Sequence, residues 1–337
     1  MKWWTSARDR FDRIFLAPRL AVDLGVHRAI FFALCVWIYS GRDYSGWAQL
    51  SAAFWQPKEP WTFIHFYRPT PDEVLMAQKV WVGALATSAL GLLTRVSNWI
   101  AAILGYLILS FAHSHGFYHH RDGVLISIMF ILALSRAGDA FSIDDLIRSA
   151  WSAKTQALRQ MQLPEAWRWP KLRERMCIAD ASYAWPIQCV RVVWSLVFFS
   201  AALSKLKASG LDWVLTDNLR NIFLTNQYLY QDWARETFRW GIAATLAAWP
   251  LLCKFLAAFG LGIELIAPLA LKSWRWRIAV VGLVAGMQIG IYLTVLVNFK
   301  EYVPVYVWWI GWSSLWAYWA TRTDRAQTAH KPRPSKS

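Results

Sequence analysis

Residues 272–298 read KSWRWRIAVVGLVAGMQIGIYLTVLVN. Three basic residues and two tryptophans lead into Ile278–Asn298, 21 residues without a charged side chain. As a helix such a stretch is roughly 30 Å long, the thickness of a bilayer's hydrocarbon core. Neither a two-residue nor a 3.6-residue alternation gives it a polar face, so lipid is the solvent it requires. The same grammar recurs outward in both directions. Apolar runs at about 22–40, 74–93, 97–115, 122–137, 181–204, 242–271, 276–298 and 302–320 are separated by charged stretches. The prediction is an all-α fold, a polytopic transmembrane helical bundle of about eight spans. The 242–271 run would make a straight helix of about 45 Å, more than a bilayer needs, so Pro250 is expected to kink or break it.

Composition agrees. Of 337 residues 56% are hydrophobic and 24 are tryptophan. Trp3, Trp4, Trp55, Trp99, Trp151, Trp274, Trp276, Trp308 and Trp309 fall at run edges, where an interfacial belt of amphipathic indoles is expected, and the rest suit an aromatic core. The net charge of +15 arises from Lys and Arg beside the apolar runs rather than on one polar face. Anionic membrane lipid is therefore the expected partner, and nucleic acid is not. The four cysteines show no CxxC spacing, which argues against a disulfide scaffold or a zinc site. The first 20 residues are basic and aromatic without a small-residue cleavage site, so the first span is read as an uncleaved anchor.

The basic residues also predict topology. They concentrate in the segment 1–21, the linker 138–180, the turn at Lys272, Arg275 and Arg277, and the tail 321–337. With eight spans all four lie on one side, which the positive-inside rule makes cytoplasmic, with both termini inside and the protein multi-pass in the inner membrane. The opposite side receives the loop 41–73, a His-rich turn at 113–121, the loop 205–241 and the turn at Lys300 and Glu301. The linker is expected to carry an amphipathic surface helix around 142–162. The tail is expected to be disordered.

Three constellations carry candidate chemistry. The segment FAHSHGFYHHRDG at 111–123 holds His113, His115, His119, His120, Arg121 and Asp122. HGFYHH has the HxxxHH spacing of membrane di-iron sites, but those need about eight histidines and the chain has seven, so no metal is expected and a hydrated turn without a chemical role stays open. In SAALSKLKASGLDWVL at 200–215, Lys205 stands where an apolar run meets a loop. Partial desolvation would suit it to act as a base, whereas a boundary lysine that snorkels to water is the simpler reading of the spacing alone. Lastly, Arg28, Lys79, Arg191, Lys254 and Glu264 lie within spans and must pair or line a wet cavity. Arg191 and Glu264, each counted into the cytoplasmic half of its span, are the expected structural pair.

Taken in order, VDLGVHRAIFF, ILALSRAGDAFSIDD, SKLKASGLDW, GIELIAPLAL and MQIGIYLTVLVNF resemble the transmembrane region of vitamin K-dependent γ-carboxylase and its bacterial relatives, the horizontally transferred transmembrane (HTTM) family. The resemblance runs from about residue 20 to 320 and makes 22–320 an HTTM-like domain. It implies that Lys205 is the base that deprotonates a quinone-like hydroquinone, with Lys207 as competitor. It also implies that His119 or His120 orients the ligand oxygen, and that His115, Asp212 and Trp213 help to bind the ligand, in an outer-leaflet pocket between spans three to five. A catalytic member would be carboxylase- or epoxidase-like. Here Tyr118 precedes His119 where relatives carry Asn, Gln288 stands where many have His, and Thr216 and Asp217 replace a small residue. No large segment follows the last span to grip a protein substrate, so carboxylation of protein Glu is not expected. The alternative function is a non-catalytic accessory for maturation or export of a small secreted peptide.

Overall fold

The computed structural model describes residues 8–9, 11–12, 14–64, 67–116, 120–160, 179–229, 238–295 and 297–315. The chain is mostly helical, 80%, and all-α in class apart from one two-residue ribbon. The helices are α1 (Ala21–Tyr39), α2 (Pro71–Leu90), α3 (Thr94–His113), α4 (His120–Leu134), α5 (Ile143–Gln160), α6 (Ala184–Ser209), α7 (Asp212–Leu215), α8 (Asn218–Leu229), α9 (Phe238–Ala247), α10 (Pro250–Ile266), α11 (Trp274–Val295) and α12 (Val303–Tyr306). Among the described residues five helical stretches are long and apolar enough to cross a membrane: Ala21–Tyr39, Thr94–His113, Ala181–Ser209, Pro250–Leu271 and Trp274–Val295. The expected surface helix is α5; the tail 321–337 lies outside the described residues.

One expected span breaks as read, and another differs from its reading. The 242–271 run is broken where Pro250 stands: α9 ends at Ala247, and α10 begins with the proline at its first position, where a missing N–H costs nothing. The run 302–320 does not start as one helix. Short turns at Lys300–Tyr302, Val303–Tyr306 and Val307–Trp309 follow one another, with Pro304 in the first turn of α12. Trp308 and Trp309, expected at the interface, are buried instead, whereas Trp151 and Trp274 are exposed.

The chain divides into two compact units. The first contains residues 1–118, 128–188 and 310–337. Its ribbon pairs β1 (Arg19–Leu20) antiparallel with β2 (Ala179–Asp180), tying the approach to α1 to the approach to α6. α2 starts on a capping box, Thr70 with Glu73, and ends on Gly91 at φ 72°, a left-handed position that favours glycine. Its buried Trp81 packs on Tyr39 of α1, ring centroids 4.7 Å apart, and donates Nε1 to Ala101 O of α3 at 2.9 Å. These contacts bury a large indole and satisfy its one polar atom.

A polar knot joins the first and second motif segments. Arg28, fully buried, donates to Ala137 O at 3.0 Å and to Phe141 O at 2.6 Å. Asp144, in the first turn of α5, accepts from Leu93 N–H at 2.8 Å and from the N–H and hydroxyl of Thr94 at 2.7 Å each, so it caps the start of α3. A Cβ at Gly91 would stand 2.5 Å from Arg28 Nη1, a second reason for glycine there.

The second unit contains residues 119–127 and 189–309. Phe223 of α8, Ala243 and Ala247 of α9 and Cys253 of α10 form one buried cluster in it. Arg220 donates Nε to Ala247 O at 3.0 Å and so satisfies a carbonyl at the end of α9. The stretch 205–241, read as a loop, thus contributes helices α7 and α8 that pack on α10.

Candidate functional site

The site is built at the end of α6 in the second unit. The helix runs unbroken through Lys205 and stops at Gly210, φ 58°, whose N–H donates to Leu206 O at 2.8 Å. A left-handed residue closes the last turn and reverses the chain. The single turn α7 then brings the Trp213 ring beneath Lys205, whose Nζ lies 5.2 Å from the ring centroid. That geometry is cation–π.

Glu264 of α10 meets the same ammonium from the other element. Lys205 Nζ is 2.5 Å from Oε1 and 2.6 Å from Oε2, a bidentate contact. The Glu264 side chain is only 7% exposed, against 27% for Lys205. The carboxylate is thus the buried member of the pair, and its partner remains within reach of the surroundings.

The expected Arg191–Glu264 pair is therefore corrected: Glu264 belongs to Lys205. Fourteen residues of α6 separate Arg191 from Lys205, about 21 Å along a helix. No carboxylate held at the Lys205 level reaches Arg191. Arg191 instead donates Nε to Trp308 O at 2.9 Å and lies 5.6 Å from the Trp309 ring centroid. It is buried, with a backbone carbonyl among its partners.

Tyr302 extends the site. It packs on Phe198 of α6 at 5.5 Å and on Phe299 at 6.0 Å, within electrostatic reach of Glu264 and Arg121. Arg121 forms an ion pair with the buried Glu301 at 3.3 Å. A cavity of about 360 Å³ opens beside these residues, lined among others by Ala285, Gln288, Tyr292, Phe299, Lys300 and Tyr306. Sequence reasoning noticed Gln288 only as a departure from the HTTM pattern and Glu301 only as a turn charge. The tyrosines of EYVPVY, four apart, were the available signal, since that spacing puts both on one helical face.

The remaining candidates divide as follows. Asp212 is exposed at the start of α7, and its backbone carbonyl rather than its carboxylate is engaged, by the Thr216 hydroxyl at 2.6 Å. Lys207, the competitor of Lys205, is exposed. His115 belongs to the first unit, where its Nδ1 bonds Phe111 O at 3.0 Å and its ring packs against Phe111 at 4.8 Å and Trp55 at 5.1 Å. His119 lies outside the described residues, as does the side chain of His120, which opens α4.

No protein-family model, curated protein or solved structure matches the chain.

Chemically, the pair holds one mobile proton between an amine and a carboxylate. In low dielectric the ion pair and the neutral amine–carboxylic acid pair come close in free energy, because separated charge is poorly solvated there.

Proposed function

We propose that this chain is a multi-pass inner-membrane protein of the HTTM type, with about eight spans and both termini cytoplasmic, that binds or oxidises a quinone-like hydrophobic ligand at the outer leaflet. The observation that carries the reading is the Lys205–Glu264 pair, 2.5 Å apart at the end of α6 over the Trp213 face. Transfer of a proton from Lys205 to Glu264 leaves a neutral amine. That amine takes the hydroxyl proton of a hydroquinone and becomes an ammonium facing a phenolate, while Glu264 holds the proton it received. The phenolate is the electron-rich form that an external two-electron oxidant, dioxygen in a carboxylase- or epoxidase-like reaction, then oxidises, the oxidant taking up both electrons. Lys205 is the base, Glu264 sets its protonation, Trp213 holds the ammonium, and His119 or His120 orients the ligand oxygen. Asp212 keeps a supporting part in ligand binding.

A second reading is favoured by the completeness of the same pair. Both carboxylate oxygens lie on one ammonium, the geometry of a satisfied structural tie, and that suits a non-catalytic accessory for maturation or export of a small secreted peptide. The deciding experiment measures bound quinone and hydroquinone oxidation by the purified protein in lipid nanodiscs, comparing wild type with Lys205→Ala, Glu264→Gln and His120→Ala. The catalytic reading expects turnover in the wild type and its loss in Lys205→Ala with the fold retained. A wild type without bound quinone or turnover would sink it and leave the accessory reading.

A further inference from the structure

The cavity in the second unit has a feature that its apolar walls do not explain. Gln288 of α11 is 5% exposed and lines it. The Tyr306 hydroxyl donates to Gln288 Oε1 at 2.8 Å, which fixes the amide, yet among the described residues Nε2 has no hydrogen-bond partner. A buried amide donor left open costs about 1–3 kcal/mol, and within hydrocarbon there is no bulk water to relieve it. Gln288 is seven residues before the end of α11, so its amide lies about 10 Å below the helix end. The helix around it is largely uncovered: 17% of its most apolar window is buried, and Ile289, on the cavity wall, is 61% exposed. The groove is thus entered sideways, from the surface that acyl chains would cover. Its upper rim carries Asn298 and Lys300, so polarity exists at the mouth and at one point in depth.

We propose that this groove binds a membrane-soluble molecule that carries a carbonyl oxygen, seated so that the oxygen accepts from Gln288 Nε2. The volume, about 360 Å³, matches a small-ligand site. Phe299 and Tyr292 supply aromatic walls, and Tyr306 orients the donor through Oε1. A pure hydrocarbon would fill the space and leave the amide unpaired. A polar, water-soluble ligand would have to cross the apolar face. Two membrane constituents share the required chemistry, the head of a quinone and the ester of an acyl lipid. The inference does not depend on the role proposed for Lys205.

The test is photolabelling of the full-length protein in nanodiscs with three diazirine probes: a quinone with an alkyl tail, a fatty-acid methyl ester, and an alkane of equal length. Labelling is read at residues 285–306 by mass spectrometry. The expected result is that at least one carbonyl probe labels this segment better than the alkane, and the better of the two identifies the source. Gln288→Leu should lower that labelling about fivefold, the equivalent of one ordinary hydrogen bond, and leave the alkane unchanged. Ala285→Phe, which fills the groove without touching the donor, should lower labelling by all three, and Gln288→His should recover it by restoring a donor. Lys205→Met should label as the wild type does, whatever happens to its turnover. Equal labelling by the alkane together with indifference to Gln288→Leu would overturn the proposal, as would absence of labelling at 285–306.

Discussion

The Arg28 knot and the Lys205 site both bury charge in apolar surroundings, and they resolve it in opposite ways. In the knot every charged atom with a named contact faces a helix end: Arg28 meets two carbonyls that follow α4, and Asp144 meets the amides that open α3. Ion and backbone face one another there, and the buried atom left over, Arg28 Nε, has no hydrogen-bond partner among the described residues. In the site two side chains face each other across 2.5 Å, with one partner still 27% exposed and an aromatic face beneath it. Charges that close helix ends hold shape. Charges that close on each other leave one partner partly exposed, and the proposed function rests on that partner.

That contrast is sharpened first by Arg28→Leu, the change expected to cost most. Two charged hydrogen bonds are lost and the buried carbonyl of Ala137 is orphaned together with the part-buried one of Phe141, so the loss should be about 3–5 kcal/mol. It would be read as a large drop in thermal midpoint in detergent, with any ligand binding by surviving folded protein unchanged. Next comes Lys205→Met, at about 2 kcal/mol, because it strands a carboxylate that is 7% exposed. Glu264→Gln should cost less, since the freed ammonium can snorkel. The double change Lys205→Met/Glu264→Leu should return close to wild-type stability. A double variant that melts as low as the sum of the singles would show that the two residues do not act as a pair.

Asp144 gives a smaller, pH-dependent effect. Burial opposes its charge, but hydrogen bonds from the N–H and hydroxyl of Thr94 and from Leu93 N–H outweigh that and hold its carboxyl below the ordinary range. A folded value below the unfolded one stabilises fully above the usual carboxylate pKa of about 4, and that contribution drains away as pH falls through the lowered folded value. Asp144→Asn should cost about 1 kcal/mol at neutral pH, the size of a lost helix cap, and its melting point should fall less than the wild type's between pH 5 and the acid limit. A wild type and variant with parallel acid profiles would break this assignment. The smallest effect is Trp213→Leu, about 0.5–1 kcal/mol for the lost cation–π contact, visible as a modest shift in melting point.

The long apolar helices were legible because twenty uncharged residues admit few other solutions, and α1, α3, α6 and α11 start and end close to their reading. The break at Pro250 was legible for the same local reason, the missing N–H. The last run misled because its composition is apolar while Pro304 and successive 3₁₀ turns, which no periodicity announces, divide it. Lys205 and Trp213 were found from one short motif and do meet. The partner of Glu264 was not found, because its depth was counted along the whole of 242–271, whereas α10 starts only at Pro250. The cavity was invisible, since it depends on Gln288 and Tyr306, eighteen residues apart, meeting across a turn.

The central claim is that the Lys205–Glu264 pair is a reactive centre and not only a tie. The most direct measurement is hydroquinone oxidation in nanodiscs by Lys205→Met/Glu264→Leu, after its melting temperature has been matched to that of the wild type. Turnover reduced at least about 100-fold in a protein of unchanged stability is the predicted result, the scale expected when a general base is removed. Turnover equal to the wild type's in that variant would contradict the account.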